Sequence, residues 1–588
     1  MFITKIFINS FLSLFAIMRI SSLQTKNPLS IIIFLILLFI FYHIQSDSFN
    51  NRVEKSDAIH SCLLGTLFSL FTIAAKYHTL IGTMTNKLFC ATILILCFAG
   101  FIIIYTHLLL WIIQATDTLH ITNIAYSEPW LPYIASAICF ICQLPYFLNQ
   151  FPGIMTPDSI NQYAQVIGAY ELSNHHSIIH TALLGILYNV GLSITHSPYG
   201  GLAFYTISQM LFMSFVAGYV LRTLQKANIK SPILLVVAAF YALIPYNNVY
   251  AVTIWKDIPF AGFMTLFCAT LVRFTLRPNV NHPKGSKYKI SIAEYITTVF
   301  PYIISGIMLC LLRSNGWYLF IITLPVILFV YRAHLKALIP MNLLILAAVL
   351  FVKFPVMNVY NIKQPDFVES LSIPVQQIAR VISNREALTQ EQTDFLEKII
   401  DISEVATLYQ PNVSDNIKNL IRKNGIDYLE SHKTEFFKTW ISIGLDHPKA
   451  YFDAYVDQTN GYWYPDIYCE IGLAEGIYPN DFGLTWQPIL RGSIIVKIKE
   501  IIFKLPDLIP LYGILWSVGI GFWIVLISTM LCLRQKKYSN AIVCLPALLL
   551  VATLCIATPV AADFRYVYGM VYSMPLFILV PFISNKSE

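Results

Sequence analysis

Thirteen apolar runs of 15 to 27 residues interrupt this chain and decide what it can be. They lie near 30–44, 60–76, 89–115, 130–149, 200–222, 231–248, 256–275, 298–313, 317–331, 339–354, 507–533, 540–559 and 565–583. A bilayer core about 30 Å thick offers backbone groups no hydrogen-bond partner, so a crossing segment satisfies them within itself as a helix of about 20 residues. With 56% hydrophobic and 12% charged residues, the sequence predicts an all-α polytopic membrane protein. A further apolar stretch near 3–19 lacks a small-residue cleavage site, so it reads as no cleaved signal; whether it crosses is open.

The orientation of the spans follows from lysine and arginine, which accumulate in cytoplasmic loops. Arg222, Lys226 and Lys230 follow one run; Arg273, Arg277, Lys284, Lys287 and Lys289 follow another; Arg332 with Lys336, and Arg534 with Lys536 and Lys537, follow two more. The four clusters share a side only if a shorter run, 176–190, does not cross. Its fifteen residues would span about 22 Å as a helix, too little for the hydrocarbon core, so it is expected to lie at the interface. The loop around Asp158, the segments at 255–257, 313–317 and 563–566, and an insert at 355–506 then share the extracytoplasmic side.

The stretch 151–180, FPGIMTPDSINQYAQVIGAYELSNHHSIIH, is the densest group of polar and ionisable side chains between apolar runs. Thr156 and Pro157 have the types of a helix N-cap and first residue, predicting an amphipathic helix over 157–170 with Asp158 in its first turn. A carboxylate there can take a proton from a hydroxyl; it can equally do no more than complement the helix dipole. His175, His176 and His180 follow. His176 and His180 have the i, i+4 spacing of a metal pair but lack the intervening Glu of H-E-x-x-H, so no metal site is expected, and a divalent cation has no sequence support.

Arg313 ends an apolar run on the side where basic residues are depleted, so an anionic partner is expected. Arg565 invites the same reading, with a phosphate or the neighbouring Asp563 as partner. Lys256 and Asp257 open a run after Trp255, where an interfacial lysine that snorkels is the plain alternative. Within the insert, expected to be a mostly helical domain, Thr389 and Gln392 form a capping-box pattern opening a helix to Ile400, and 428–445 is a second helical segment. Gln377 and Arg380 stand close together on SLSIPVQQIARVIS. No Walker loop, G-x-G-x-x-G or G-x-S-x-G is present, and no nucleic-acid partner is expected.

With its acid after a transmembrane helix, a following interfacial helix, many spans and a late extracytoplasmic domain, the chain resembles the GT-C superfamily of polyprenyl-phosphate-sugar-dependent glycosyltransferases. The segments FPGIMTPDSINQY, NHHSIIHT, TIWKDIPF, RSNGWY and SLSIPVQQIARV are similar, over roughly 130–583, to an uncharacterised multi-pass family of Gram-positive bacteria. The resemblance implies extra N-terminal helices over 1–129 and a GT-C-like core over 130–354 with the catalytic external loop at 151–199. It also implies an extracytoplasmic helical domain at 355–506 and C-terminal helices over 507–588. Asp158 would be the base of an inverting glycosyltransferase of the cell membrane, acting outside the cytoplasm. Arg313, Arg565, Lys256 and His176 would hold the donor phosphate. His175, His180, Asn161, Tyr163, Asp257, Asn315, Trp317, Gln377, Arg380 and Asp563 would contact the sugar or an envelope acceptor such as teichoic acid, wall polysaccharide or glycolipid. Many GT-C enzymes carry Asp-Glu or Glu-x-Asp where this chain has Pro157-Asp158-Ser159, so metal dependence does not carry over. The alternatives are a transporter or flippase for a lipid-linked glycan and a non-catalytic scaffold of envelope synthesis.

Overall fold

The computed structural model describes residues 2–44, 53–122, 128–276, 292–469 and 474–584. Among them the chain is helical, with isolated β-bridges and no strand. Ten helices are long and apolar enough to cross a membrane, so the protein is an all-α multi-pass membrane protein. Arg277, Lys284, Lys287 and Lys289, part of the charge pattern, lie outside the described residues.

The chain divides into two compact units, Met1–His120 with Leu526–Lys537 and Ile121–Val525 with Tyr538–Glu588. In the first, Phe2–Ile20 is long enough to cross. Helices Lys55–Ile81 and Lys87–Thr118 pack closely where Gly65 meets Thr106. Arg534 binds Asp57 at 2.5 Å and Asp117 at 2.6 and 2.7 Å, so these acids in the apolar unit are charge-paired.

The second unit is built on the helix Asp257–Thr275, in which every residue but Phe263 is buried. A helix apolar on all sides has no lipid-facing stripe and becomes the centre around which others pack. Pro198–Lys226, Phe300–Leu312, Tyr538–Ala557 and Phe564–Tyr572 surround it.

Several segments differ from the sequence expectation. Ile178–Thr195 continues five residues past Val190 and is long enough to cross. Yet it packs against only the start of Pro198–Lys226: His180 bonds Tyr205, Tyr188 abuts Gly201, and Gly191 meets Gly200 and Phe204. It therefore does not run the length of its neighbour. The 231–248 run is bent by 53° between Ser231–Leu243 and Pro245–Ala251, where Pro245 has no amide to continue the hydrogen-bond ladder. The 507–533 run is divided among the end of Ser493–Leu508, a 3-10 turn Tyr512–Trp516 and the helix Val518–Arg534. The 565–583 run breaks into Phe564–Tyr572 and Met574–Leu579, with Pro575 opening the second piece. The helix expected over 157–170 stops at Val166, two residues before Gly168 at φ +75°.

Between the spans, residues 365–465 form a helical body with its own core, including Val375, Ile378, Phe395, Leu420 and Phe436. The Thr389–Gln392 capping box is present, but its helix ends at Leu396. The 428–445 segment is broken at His432, between Ile426–Ser431 and Lys433–Asp446. Residues 474–490 return as a strap across the Asp158 loop: Gly476 N donates to Gln150 Oε1 at 2.7 Å, Met155 N to Gly476 O at 2.8 Å, and Trp486 Nε1 to Asn149 O at 2.9 Å.

Gly316 lies against the preceding helix, where an added Cβ would stand 1.8 Å from Leu309 O. Backbone cannot yield as a side-chain tip does, so Gly316→Ala is expected to destabilise the protein by about 1–3 kcal/mol. Gly168→Ala, with open space around it, is expected to cost about 1 kcal/mol through its positive φ. Thermal unfolding in detergent compares the two.

Candidate functional site

Asp158 stands in the first turn of Pro157–Val166, behind a capping box made by Thr156 and Ser159. Ser159 Oγ also donates to Ile254 O at 2.5 Å, and Trp255 Nε1 to Thr156 Oγ1 at 2.7 Å. The helix start is thus fastened to the segment just ahead of Lys256 and Asp257. Ser177 Oγ donates to Leu311 O at 2.8 Å, bringing the histidine loop to the end of Phe300–Leu312, where Arg313 sits in extended backbone.

These attachments bring together side chains from five separate parts of the sequence. Arg565 NH1 donates to Asp158 Oδ2 at 2.9 Å, its Nε to Asp563 Oδ2 at 2.8 Å and its NH2 to Tyr566 OH at 3.1 Å. Of the partners expected for Arg565, the neighbouring Asp563 is engaged, and its other carboxylate partner, Asp158, was not among them. Asp563 in turn caps Phe564–Tyr572 through Arg565 N. Arg313 NH1 lies 2.6 Å from Asp257 Oδ1, in a pair with both side chains largely buried. The Tyr566 ring stands between the two guanidinium groups, 4.8 Å from Arg313 and 4.9 Å from Arg565.

Lys256 does not snorkel away. Its Nζ lies 3.3 Å from His176 Nδ1, and His176 Nε2 lies 4.0 Å from Asp158 Oδ1. An ammonium can only donate. The ring therefore accepts at Nδ1 and carries its proton on Nε2, facing the carboxylate. Burial lowers the His176 pKa to about 4, with the Lys256 charge acting the same way and Asp158 opposing. Burial also lowers Lys256. For Asp158, burial favours the neutral acid, but Arg565, His176 and Lys256 outweigh it and hold the carboxyl below its ordinary value. Among the described residues Asp158 Oδ1 accepts no hydrogen bond, so one oxygen is fixed by Arg565 and the other is open.

Asp158, His176, Lys256, Asp257, Arg313, Arg565 and Tyr566 line a cavity of about 510 Å³ that also holds His175, Asn315 and Lys353, whereas Asp563, expected to touch a ligand, does not line it. Its opposite wall comes from the inserted body: Glu369, Asp415, Lys418, Asn419 and Arg422. Lys418 binds Glu369 at 2.9 Å and Asp415 at 2.7 Å, and Arg422 binds Asp366 at 2.7 Å. Six lysines and arginines and four carboxylates line this space, and Asp366 and Asp563 pair with Arg422 and Arg565 from behind it. Among the described residues Lys256 and Lys353 form no ion pair with a carboxylate, and these two cations favour an anionic ligand. Among the described residues no three His, Cys, Asp or Glu side chains converge to hold a metal ion.

Other residues expected to touch a ligand are placed elsewhere. His180 is fully buried, bonded to Gln162 Oε1 at 2.8 Å and Tyr205 OH at 2.7 Å. Tyr163 packs edge-on against Tyr188, and Asn161 accepts from Gln165. Gln377 bonds Tyr451 O and Trp440 inside the inserted body, and Arg380 pairs with Asp457. Trp317 lies 4.8 Å beneath Lys353 without lining the cavity. The wall at 415–422 was not foreseen, although Asp415, Lys418, Asn419 and Arg422 at i, i+3, i+4 and i+7 fall on one helical face.

The model of a family of unknown function, DUF6020, matches residues 167–588. The chain belongs to this family. The match takes in His176, Lys256, Arg313 and Arg565 and begins where the Asp158 helix ends. No curated protein and no solved structure matches the chain.

The His176 pKa gives a pH dependence of defined sign. Between about pH 4 and about 6.5 the unfolded chain protonates this imidazole and the folded chain does not, so its contribution to stability is full above that window and lost as pH falls through it. His176→Gln is expected to flatten the fall in thermal midpoint between pH 7 and pH 5. A slope equal to that of the wild type would assign the titration to other groups.

Proposed function

We infer that this protein is a membrane glycosyltransferase of GT-C type, moving a sugar from a polyprenyl-phosphate donor to an extracytoplasmic acceptor of the cell envelope. The observation that carries this reading is the state of Asp158: an ionised carboxylate with Oδ2 held by Arg565 and Oδ1 open. It faces a cavity also lined by Lys256 and Lys353, which pair with no carboxylate among the described residues, in a chain of membrane-crossing helices. Such a site suits a substrate that joins a lipid, a phosphate and a hydroxyl-bearing acceptor.

The chemistry follows from the groups present. An acceptor hydroxyl donates its proton to Asp158 Oδ1 while its oxygen bonds to the anomeric carbon from the face opposite the phosphate. The bond from that carbon to the phosphate oxygen breaks, its electron pair leaves with the phosphate, and the configuration inverts. The new phosphate charge falls to Lys256, with Arg313 and Lys353 near by, and fixed cations in a water-poor site stabilise a leaving group strongly. Arg565, with three nitrogens engaged by Asp158, Asp563 and Tyr566, orients the base more than it binds the donor. A carboxylate held at low pKa is a weak base. It therefore serves best when cleavage at the anomeric carbon runs ahead of proton transfer, as in oxocarbenium-like transition states.

Asp158→Asn keeps the size of the side chain and removes the base. It is expected to lower turnover about 10²–10⁴-fold in transfer from a polyprenyl-phosphate-linked sugar. In a deletion strain, mass spectrometry of the envelope glycan should show a lost modification that wild type restores and Asp158→Asn does not. Wild-type turnover by the variant, or restoration by it, would remove Asp158 from the chemistry.

A further inference from the structure

At the far end of the central helix from Asp257 lies a second cavity, of about 840 Å³, with an apolar lining and a cluster of basic side chains. Arg273 is 16 residues beyond Asp257 on Asp257–Thr275, about 24 Å along the axis. The same cavity is lined by Arg222 and Lys226 at the end of Pro198–Lys226. A site reached by most of a bilayer's thickness from Asp158 is independent of any chemistry there.

Arg273 is not an ordinary interfacial arginine. Only 5% of it is exposed, and its guanidinium stacks 3.9 Å from the Tyr219 ring centre. Its Nε donates to Thr223 Oγ1 at 2.8 Å and its NH1 to Thr297 O at 2.6 Å, a carbonyl that also accepts from Tyr219 OH at 2.7 Å. Thr297 lies in the π-helical turn Tyr295–Val299, where the wider ladder leaves carbonyls for outside donors. These are neutral partners. Glu294 lines the same cavity and its charge acts on Lys226, so three cations face one acid there, and the excess of positive charge favours an anionic ligand.

The walls of the cavity specify what kind of anion. Tyr133, Phe215 and Ile296 line it and are 71%, 54% and 60% exposed. They stand on helices long and apolar enough to cross a membrane, where an exposed ring or aliphatic side chain is favourably covered by hydrocarbon. A ligand seated here has a phosphate among the cations and hydrocarbon along these three side chains.

We propose that this cavity is a binding site for an anionic phospholipid, its phosphate held by Arg222, Lys226 and Arg273 and its acyl chains lying along Tyr133, Phe215 and Ile296. Basic pockets between transmembrane helices recognise acidic headgroups in this way. A bound lipid would fix the ends of Pro198–Lys226 and Asp257–Thr275 to each other, because both contribute cations to one phosphate.

The test uses the purified full chain in a neutral detergent. Adding phosphatidylglycerol is expected to raise the thermal midpoint by about 4 °C, while phosphatidylcholine and inorganic phosphate leave it unchanged. The double variant Arg222→Gln/Lys226→Gln should lose that shift, and Lys423→Gln/Lys438→Gln, remote in the inserted body, should keep it. An equal shift in the Arg222→Gln/Lys226→Gln protein, or with phosphatidylcholine, overturns the site. An equal shift with inorganic phosphate overturns the lipid and leaves a free-anion site. Should the double variant fail to fold, native mass spectrometry of the wild type decides: retention of phosphatidylglycerol over phosphatidylcholine supports the proposal, and equal retention overturns it.

Discussion

A helix buried along almost its whole length cannot begin with a lysine and an aspartate unless other parts of the chain neutralise them. Asp257–Thr275 is such a helix, and much of the candidate site follows from that requirement. Asp257 meets Arg313 at 2.6 Å, fixing the junction between Phe300–Leu312 and Ser314–Val330 beside the helix start. Lys256 turns to His176, which fixes the loop after the Asp158 helix. Replacing a buried ion pair by apolar groups is often neutral for stability, whereas removing one partner costs about 3–5 kcal/mol. The gain from these contacts is therefore placement: three distant segments, at 176, 256–257 and 313, are held near Asp158.

The second organising group is Arg565. Its planar fork reaches Asp158, Asp563 and Tyr566 at once, which a lysine could not do. Asp563 also places its amide on Tyr462 OH at 3.1 Å, and Tyr462 OH donates to Val560 O at 2.8 Å. Gln458 reaches Thr558 O in the same loop. The inserted body thus contacts the loop that carries Arg565 as well as supplying the cavity's opposite wall. The cavity is therefore walled from two sides, by charged side chains at the ends of apolar helices and by a helical body with its own core.

Local signals in the sequence were read well where one turn of chain decides the outcome. Thr156 and Pro157 open a helix because a side-chain oxygen caps free amides and proline needs none, and Thr389 with Gln392 does the same. Reading failed where composition masked a break. The 565–583 run is almost wholly apolar after Arg565, yet it breaks at Ser573, just ahead of Pro575. The helix that opens in the 176–190 run extends through Gly191 to Thr195, so its length no longer decides whether it crosses. His180 shows the same limit for function. A histidine five residues from His175 resembles a ligand on paper, but the helix turns it inward to Gln162 and Tyr205.

The sequence by itself determined that this is a helical membrane protein, since apolar segments of such length have no other stable form in a bilayer, and it marked Arg313 and Arg565 as charges out of place and Asp158, His176 and Lys256 as candidate site residues. Which of them meet was decided only by the tertiary structure. Contacts between residues 407 positions apart, such as Arg565 with Asp158, depend on how helices pack side by side, and no local pattern of residues encodes that distance.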